Sequence, residues 1–192
     1  LGVGMFALIV VFQQEIRKFL LMIGTTNFAS RKKLLQRFNL QPTQTFNTDI
    51  TAIVSACLKM SASKTGAIIV LKRNNNLEFI KSTGDPMNLE VNGPILESIF
   101  YKNSPLHDGA MVIEDNTISA TRVILPVSSE QNIPSRFGLR HRAALGITER
   151  TDAVCLVVSE ESGQMSYVKE GDFVRYNDRD ELEKIMARDL SN

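Results

Sequence analysis

From residue 46 onward, hydrophobic positions follow helical spacing in some stretches and form short continuous runs in others. A helix is predicted after Asn47 or Thr48, either of which can cap it. Its apolar residues recur at three- and four-residue intervals, and they are Ile50, Ile53, Val54, Cys57, Leu58 and Met60. The apolar run over residues 66–71 predicts a buried strand. Three asparagines at 74–76 indicate a turn, and residues 77–80 are expected to return as the second arm of a hairpin.

The remaining pattern predicts helices over residues 93–101, 139–147 and 178–190, and strands over 153–159 and 164–169. Residues 110–114 and 117–125 are expected to form a hairpin about Asp115-Asn116. Strands and helices interleave irregularly, without an internal repeat. This favours a mixed α/β fold, a single domain with a central mixed β-sheet flanked by helices on both faces. A chain of 192 residues can bury such a core.

The first twelve residues, LGVGMFALIVVF, are almost wholly apolar. A helix needs about 20 apolar residues to cross a bilayer, and the chain does not begin with methionine, so we expect a fragment of a longer protein. Residues 1–24 are interpreted as the end of a transmembrane or juxtamembrane helix, and an apolar helix packed on the domain is the alternative. Residues 25–45 are interpreted as a basic connector, either a solvated face or a contact with anionic lipid, and carry Arg31, Lys32, Lys33 and Arg37.

Charge and cysteine content narrow the classes of partner. Lys and Arg total 22 against 21 for Asp and Glu, a net charge of +1, so no global field favours nucleic acid and no nucleic-acid partner is expected. Any anion site must therefore come from local clustering. Cys57 and Cys155 stand singly in apolar runs, without the spacing of a zinc site or a disulfide framework, and both are expected in the core. That usage fits a reducing, cytosolic compartment.

The segment SPLHDGA, residues 104–110, joins a predicted helix end to a strand start. Asp-Gly is a common hairpin-turn signal, but Pro105 and Leu106 precede it here instead of an alternating strand. A carboxylate followed by glycine at a strand entrance can meet a substrate where the backbone comes close. Asp108 is therefore a candidate substrate contact, and an ordinary turn is the alternative.

The segment GLRHRAA, residues 138–144, places three potentially cationic side chains in the first turn of a predicted helix: Arg140, His141 and Arg142. Positive charge there opposes the helix dipole. A bound phosphate would reverse the sign of this effect, because amide donors and cationic side chains then converge on one anion. The sequence thus indicates an anion site. The alternative pairs the arginines with carboxylates such as Glu149 or Asp152.

The segment SEESG, residues 159–163, follows a predicted buried strand. Its oxygen-bearing side chains are of the kind that Mg²⁺ and Mn²⁺ prefer, and phosphate chemistry needs such ions. A solvated acidic turn is the alternative. A carboxylate, a basic helix start and a metal-suited turn are together the parts that phosphoryl transfer requires.

Asp108-Gly109-Ala110 and Arg140-His141-Arg142 resemble the two hallmark motifs of the diadenylate cyclase family, Asp-Gly-Ala and Arg-His-Arg. The segments SPLHDGA, RHRAALG and VVSEESG are similar as well, and the resemblance covers roughly residues 46–170. Residues 12–17, FQQEIR, look like the segment after the membrane helices in the membrane-bound branch of the family. The resemblance implies a cytoplasmic catalytic domain over residues 46–192, anchored to the cell membrane through the amino-terminal region.

The resemblance also implies that each protomer binds one ATP and that two protomers meet face to face. Each 3′-hydroxyl then attacks the α-phosphate of the other ATP, which gives cyclic di-AMP and two pyrophosphates, with Mg²⁺ or Mn²⁺ as cofactor. The implied catalytic residues are Asp108, Gly109, Ala110, Arg140, His141 and Arg142. The implied ATP contacts are Asp108, Gly109, Leu125, Gly138, Leu139, Arg140, His141, Arg142, Ser159 and Glu160. Metal ligands are expected among His107, Asp108, Ser159, Glu160 and Glu161.

One departure from the family concerns Leu139, which stands where the family commonly has a threonine before Arg-His-Arg. The missing hydroxyl removes one hydrogen-bond donor, worth about 0.5–1.5 kcal/mol, so reduced or retuned activity is expected. Two other functions remain as alternatives. One is a nucleotide-binding sensor that kept the fold and lost the chemistry. The other is a membrane-tethered interaction module that acts through the basic segment 31–37.

Overall fold

The computed structural model describes residues 48–129, 134 and 137–191. The helices within these ranges are α1 (Ile50–Ala62), α2 (Glu78–Lys81), α3 (Gly93–Phe100), α4 (Leu139–Thr148) and α5 (Arg179–Ser191). The strands are β1 (Ala67–Leu71), β2 (Asp85–Glu90), β3 (Ala110–Glu114), β4 (Thr117–Val123), β5 (Val154–Val158), β6 (Met165–Lys169) and β7 (Asp172–Val174).

The seven strands form one sheet in the order β2-β4-β3-β1-β5-β6-β7. β1 pairs parallel with β3, and the other neighbouring strands pair antiparallel. The mixed sheet is therefore confirmed. Every residue of the two central strands β1 and β5 is buried, which explains why both read in the sequence as continuous apolar runs and not as an alternation.

Helices cover both faces of the sheet, as predicted. Successive side chains of a strand point to opposite faces, so Ile69 and Leu71 join a core formed with α1, α3 and α5, whereas Ile68 and Val70 join a core formed with α2 and α4. The two cysteines lie in these cores, one on each face. Burial raises the pKa of Cys57 to about 12, which leaves that thiol inert at neutral pH.

The predicted return strand over residues 77–80 is wrong, because this segment is the helix α2 with its preceding residue. Leu77 and Ile80 are three residues apart and both are buried, so helical geometry places them together on the core. The side chain of Asn76 accepts a hydrogen bond from the amide of Glu78 at 2.8 Å, which supports the start of the helix. The strand that follows, β2, and the short β7 were not predicted.

The cap predicted for α1 is also one or two residues early. Asp49 is the N-cap, and its carboxylate accepts a hydrogen bond from the amide of Ala52 at 2.8 Å. The amide of Asp49 donates in turn to the side chain of Asn116 at 2.9 Å, which joins the helix start to the β3–β4 turn. Of the two residues proposed as caps, Asn47 lies outside the described residues and Thr48 precedes the actual cap.

The segments interpreted as a membrane-proximal helix (1–24) and a basic connector (25–45) lie outside the described residues. Among the residues that are described, no helix combines the length and the hydropathy that crossing a membrane requires.

Candidate active site

Four neighbouring strands begin or end along one edge of the sheet, by which we mean the line of strand ends and not an outermost strand. The segments that carry the candidate chemistry lie along this edge. The parallel strands β1 and β3 both begin at this edge, and their partners β5 and β4 end there, because Ala67 pairs with Val158 and Ala110 with Val123. The order across the edge is β4, β3, β1 and β5. At about 4.8 Å between strands, the edge extends over about 14 Å.

A cavity of about 810 Å³ lies along this edge, within the usual range for small-molecule sites. Its apolar wall combines strand ends and helix α4, and includes Ile68, Ala110, Val123, Leu125, Ala143 and Val158. Most of its polar side chains come from the strand ends and the start of α4, and they are Thr83, Asp108, Arg122, Arg140, His141, Ser159, Glu160 and Glu161. An apolar wall with a few converging polar groups suits a heterocyclic base joined to phosphates.

Asp108 reaches the cavity from the segment just before β3, and Gly109 fixes its position. Gly109 has a φ of +106°, a conformation that side-chain-bearing residues rarely adopt. A Cβ atom there would lie 2.6 Å from the carbonyl carbon of Arg122 on β4. The glycine therefore allows two backbones to touch at the cavity wall, with the exposed carboxylate of Asp108 beside the contact.

Arg140 forms an ion pair with Glu160 across the cavity floor. Its Nη1 donates to Oε2 of Glu160 at 2.6 Å, and the side chain of Arg140 is 23% exposed against 63% for that of Glu160. A carboxylate pairing of the kind considered from the sequence is therefore present for Arg140, but with Glu160 as the partner. Glu149 accepts from the hydroxyl of Ser128, and Asp152 accepts from the backbone amides of residues 74 and 75.

Gly66, just before β1, lies directly under this ion pair. A Cβ atom at Gly66 would come within 2.8 Å of Nη1 of Arg140 and 3.0 Å of Oε2 of Glu160. Its backbone is outside the left-handed region, so only this clearance requires glycine. The missing side chain at 66 thus lets the guanidinium lie low over the sheet edge.

Substitution of Gly66 with alanine is expected to weaken binding of ATP, the ligand that the motif resemblance implies, about 10- to 100-fold, because a displaced Arg140 would lose a charge-assisted hydrogen bond to phosphate. The Tm should change little, since the crowded atoms belong to movable side chains. Calorimetric titration with ATP and a thermal melt measure both quantities. Gly93→Ala is the matched control, because its new Cβ would meet nothing closer than 3.7 Å. Equal ATP affinity in both variants would contradict this role for Gly66.

His141 is buried at 3% exposure, although it follows Arg140 directly in α4. Its ring lies 4.8 Å from that of Phe137, and Nε2 is 3.4 Å from the hydroxyl of Ser166. Burial lowers the pKa of His141 to about 4 from its ordinary value of 6.5. The ring is therefore neutral at pH 7, and of the three potential cations at the helix start, the two arginines carry the charge.

The lowered pKa of His141 predicts a loss of stability on acidification. Between pH 6.5 and about 4 the unfolded chain takes up a proton that the folded chain does not, so stability falls as the pH drops through this window. The contribution is up to about 3 kcal/mol. Urea unfolding at several pH values between 4 and 7 measures it. His141→Gln should flatten the slope, and an unchanged slope in that variant would contradict the assignment.

Most of the predicted site residues lie together at the cavity. Gly138 and Leu139 line it beside Arg140, and Leu139 is 77% exposed at its rim. Ser159 also lines the cavity, and its hydroxyl accepts hydrogen bonds from the amides of residues 161 and 162, which holds the acidic turn. Two predicted residues do not line the cavity, His107 and Arg142. The Nδ1 atom of His107 lies 2.6 Å from the carbonyl oxygen of Ser104.

The residues predicted as metal ligands are divided between two strand ends. Asp108 stands before β3, whereas Glu160 and Glu161 follow β5, two strands away. Within the part of the chain that the structure describes, no group of three or more such ligands is close enough to hold a metal ion alone. Mg²⁺ commonly takes only one or two carboxylates and completes its shell with phosphate oxygens and water. The carboxylates therefore fit a metal that is bound together with a nucleotide.

Several cavity residues were not predicted from sequence: Gly66 under the ion pair, and Thr83, Arg122, Ile124 and Val127 along the wall. Ile124 directly precedes a predicted residue, Leu125, and is 69% exposed. The Pro126 that follows Leu125 marks a strand end, and this signal could have drawn attention to the whole segment.

Comparison with known proteins agrees with the geometry. The family model for the nucleotide-binding domain of the DisA bacterial checkpoint controller, called DAC, matches residues 54–173. The chain belongs to this DAC family. The resemblance seen in the motifs is therefore confirmed, and the DAC match covers the strands and helices that wall the cavity, β1 to β5 and α4.

Relatives within the DAC family extend over nearly the whole chain. A diadenylate cyclase of Listeria monocytogenes is 35% identical, and the cyclic di-AMP synthase CdaA of Bacillus subtilis 36% identical, each over 187 residues. Each alignment covers 97% of this chain and 66% of the relative, so the chain spans slightly less than two thirds of their length.

Two solved structures share the DAC fold with this chain. DacA of Staphylococcus aureus superposes with a TM-score of 0.71 at 35% identity, over 73% of this chain and 94% of that one. A hypothetical membrane spanning protein from Bacillus cereus gives a TM-score of 0.64 at 36% identity, over 86% and 78% of the two chains. These likenesses confirm the mixed α/β fold with helices on both faces of the sheet.

Proposed function

We propose that this chain is a diadenylate cyclase, which joins two ATP molecules into cyclic di-AMP and releases two pyrophosphates. The observation that carries the proposal is the arrangement along one sheet edge. Asp108, from the segment before β3, and Arg140, from the start of α4, line the same cavity together with an apolar wall, in a chain of the DAC family. The names of the Listeria and Bacillus relatives support the same reaction.

In the proposed complex each protomer holds one ATP. Leu125 and the other apolar wall residues pack on the adenine, and Arg140 with the amides at the start of α4 binds the phosphates. Asp108 accepts the proton of the ribose 3′-hydroxyl. The deprotonated oxygen forms a bond to the α-phosphorus of the ATP held by the partner protomer, the α–β phosphoanhydride bond breaks, and pyrophosphate leaves. The 3′-hydroxyl of the partner's ATP then attacks the α-phosphorus of the first ATP in the same way, the second pyrophosphate leaves, and the ring closes.

A divalent cation, Mg²⁺ or Mn²⁺, would neutralise charge on the polyphosphate during this reaction. The residues that would hold it together with the nucleotide are Asp108 at one strand end, or Ser159, Glu160 and Glu161 at the other. Glu160 is engaged with Arg140 in the structure, so we propose that phosphate replaces its carboxylate on the guanidinium and frees it for the metal. His141 is neutral and buried, and it packs the start of α4 against Phe137 and Ser166.

Two further parts of the proposal concern the surroundings of the domain. Because the reaction uses two ATP molecules and each needs its own Asp108, we propose that it requires a face-to-face dimer. Residues 1–24 and the basic connector 25–45 are proposed to tether the catalytic domain, 46–192, at the cytoplasmic side of the cell membrane. The likeness to the membrane spanning protein of Bacillus cereus supports this location.

Incubation of the purified chain with ATP and Mn²⁺ or Mg²⁺, followed by mass spectrometry, tests the proposal. Cyclic di-AMP is the expected product, and its rate per protomer should rise with protein concentration because the monomer is inactive. ATP binding without product at any concentration would favour the nucleotide sensor instead. Lipid or partner binding that persists after removal of Arg140 and Arg142, with no nucleotide bound, would favour the interaction module.

A further inference from the structure

Arg122 has an unusual backbone conformation for its place in the fold. Its φ is +55°, and it lies inside strand β4. The other non-glycine residues with positive φ in the described chain lie in turns: Lys64, Asp115, Asn116 and Glu170. A left-handed conformation is unfavourable for a residue with a side chain, and where such strain persists it often belongs to a functional site.

A β-bulge produces this conformation. Ala110 pairs with Val123 and Val112 pairs with Ala120, so β4 has one more residue than β3 between the two pairs. The extra residue interrupts the alternation of the strand, and a bulge of this kind redirects a side chain. Thr121 is fully buried, whereas the side chain of Arg122 is 52% exposed and lines the cavity.

The bulge also places Arg122 beside the proposed base. The backbone of Arg122 is the surface against which Gly109 packs, with its Cα 2.7 Å from the position a Cβ of Gly109 would take. Asp108 precedes that glycine directly. Arg140 contacts Glu160 at the β5 end of the same edge, three strands away from β4. The cavity is therefore lined by two arginines, Arg122 with its backbone against the segment that carries Asp108, and Arg140 beside the acidic turn.

The guanidinium of Arg122 is held loosely. Its Nη1 lies 3.3 Å from Oδ2 of Asp85 on β2, and the two side chains are 52% and 47% exposed. Solvent weakens ion pairs of this kind, so a phosphate can replace Asp85 at little cost. Arginine also binds phosphate through two parallel hydrogen bonds, which suits it to a transferring phosphoryl group.

We propose that Arg122 binds the α-phosphate of the ATP held by the partner protomer. This inference rests on the proposed function, in which the 3′-hydroxyl beside Asp108 must meet that α-phosphate for the new bond to form. Arg122 lines the same cavity as Asp108, so its guanidinium can meet the incoming phosphate once it leaves Asp85, while Arg140 holds the phosphates of the ATP in its own cavity. Arg122 neutralises charge that grows on the α-phosphate oxygens as pyrophosphate leaves.

Variants of Arg122 should change kcat without changing the Kd for ATP, whereas most variants of a binding site change both. Arg122→Ala should lower kcat for cyclic di-AMP about 10- to 100-fold, and it should leave the Kd of the isolated protomer for ATP within about twofold, because the contact forms only across the dimer. Arg122→Lys should recover part of the rate. Arg179→Ala is the matched control, since Arg179 is also a half-exposed, ion-paired arginine, on helix α5 and away from the cavity.

A glycine variant distinguishes the charge from the fold of the bulge. Arg122→Gly removes the charge and suits the left-handed conformation, so the Tm should stay at or above that of the wild type while kcat falls as in the alanine variant. A wild-type rate in Arg122→Ala or Arg122→Gly would overturn the inference, as would a loss of ATP affinity at unchanged kcat. Absence of product from the wild type would instead overturn the proposed function itself.

Discussion

Replacement of Asp108 with asparagine is expected to abolish synthesis of cyclic di-AMP while ATP still binds. The amide has nearly the shape of the carboxylate but cannot take the proton of the 3′-hydroxyl. Loss of a general base typically costs 10²- to 10⁴-fold in rate, so we expect a fall of about 10³-fold. Asp108 is exposed at the cavity and its replacement leaves the packed core intact. Product formation by mass spectrometry and ATP affinity by calorimetry measure the two effects.

The matched control for this variant is Asp115→Asn. Asp115 lies in the turn between β3 and β4, at the opposite end of the same strands, and its φ of +47° is one that asparagine also tolerates. This control should keep the wild-type rate. Full activity in Asp108→Asn would refute the proton-accepting role, and loss of ATP binding would show that Asp108 holds the nucleotide instead.

Gly109→Ala is expected to be the most disruptive single methyl addition at the site. The new Cβ would lie 2.6 Å from a backbone atom of Arg122, and a φ of +106° is strained for alanine. Removing this clash would require β3 and β4 to separate at the cavity wall. We expect the free energy of unfolding to fall by about 2–4 kcal/mol. The Tm should fall by roughly 10 °C. Activity should be lost as well, because Asp108 and Arg122 both move with this contact.

Thermal melts of Gly109→Ala and Gly93→Ala together test this expectation. The control glycine lies at the start of α3, where a Cβ has room and alanine favours the helix, so its Tm should not fall. Equal melting temperatures for the two variants would show that β3 and β4 can part without cost.

The sequence predicted the centre of the sheet better than its margins, for a physical reason. Strands buried on both faces must be apolar throughout, and β1 and β5 therefore stand out as continuous runs. The edge strand β2, DPMNLE, is mostly exposed and has no such pattern. The prediction of a strand over residues 77–80 is wrong because the segment is too short to show a period. Two apolar residues three positions apart fit a single helical turn, but so short a pattern does not exclude a strand.

The candidate site was predictable where function depends on residue type and hidden where it depends on register. Asp108, Arg140 and Ser159 carry chemistry that their local sequence indicates, and all three line the cavity. Arg122 looks in sequence like an ordinary exposed strand residue, because the bulge that turns it toward the cavity appears only when β4 is paired with β3. The requirement for glycine at position 66 cannot be predicted from its neighbours in sequence, because it arises from contact with Arg140 and Glu160, which are distant in the chain.

The strand order of the sheet has a consequence for when nucleotide can first be bound. The strands β1 to β4 are complete by Val123, but β5, which lies beside β1, is made only after helix α4. In a chain emerging from the ribosome, the residues of one cavity wall are therefore made before Arg140 and Ser159. The contacts proposed for the ATP phosphates are complete only when α4 and the end of β5 have been made. Once bound, ATP favours the finished sheet over every partly assembled form, since a ligand stabilises the state that binds it.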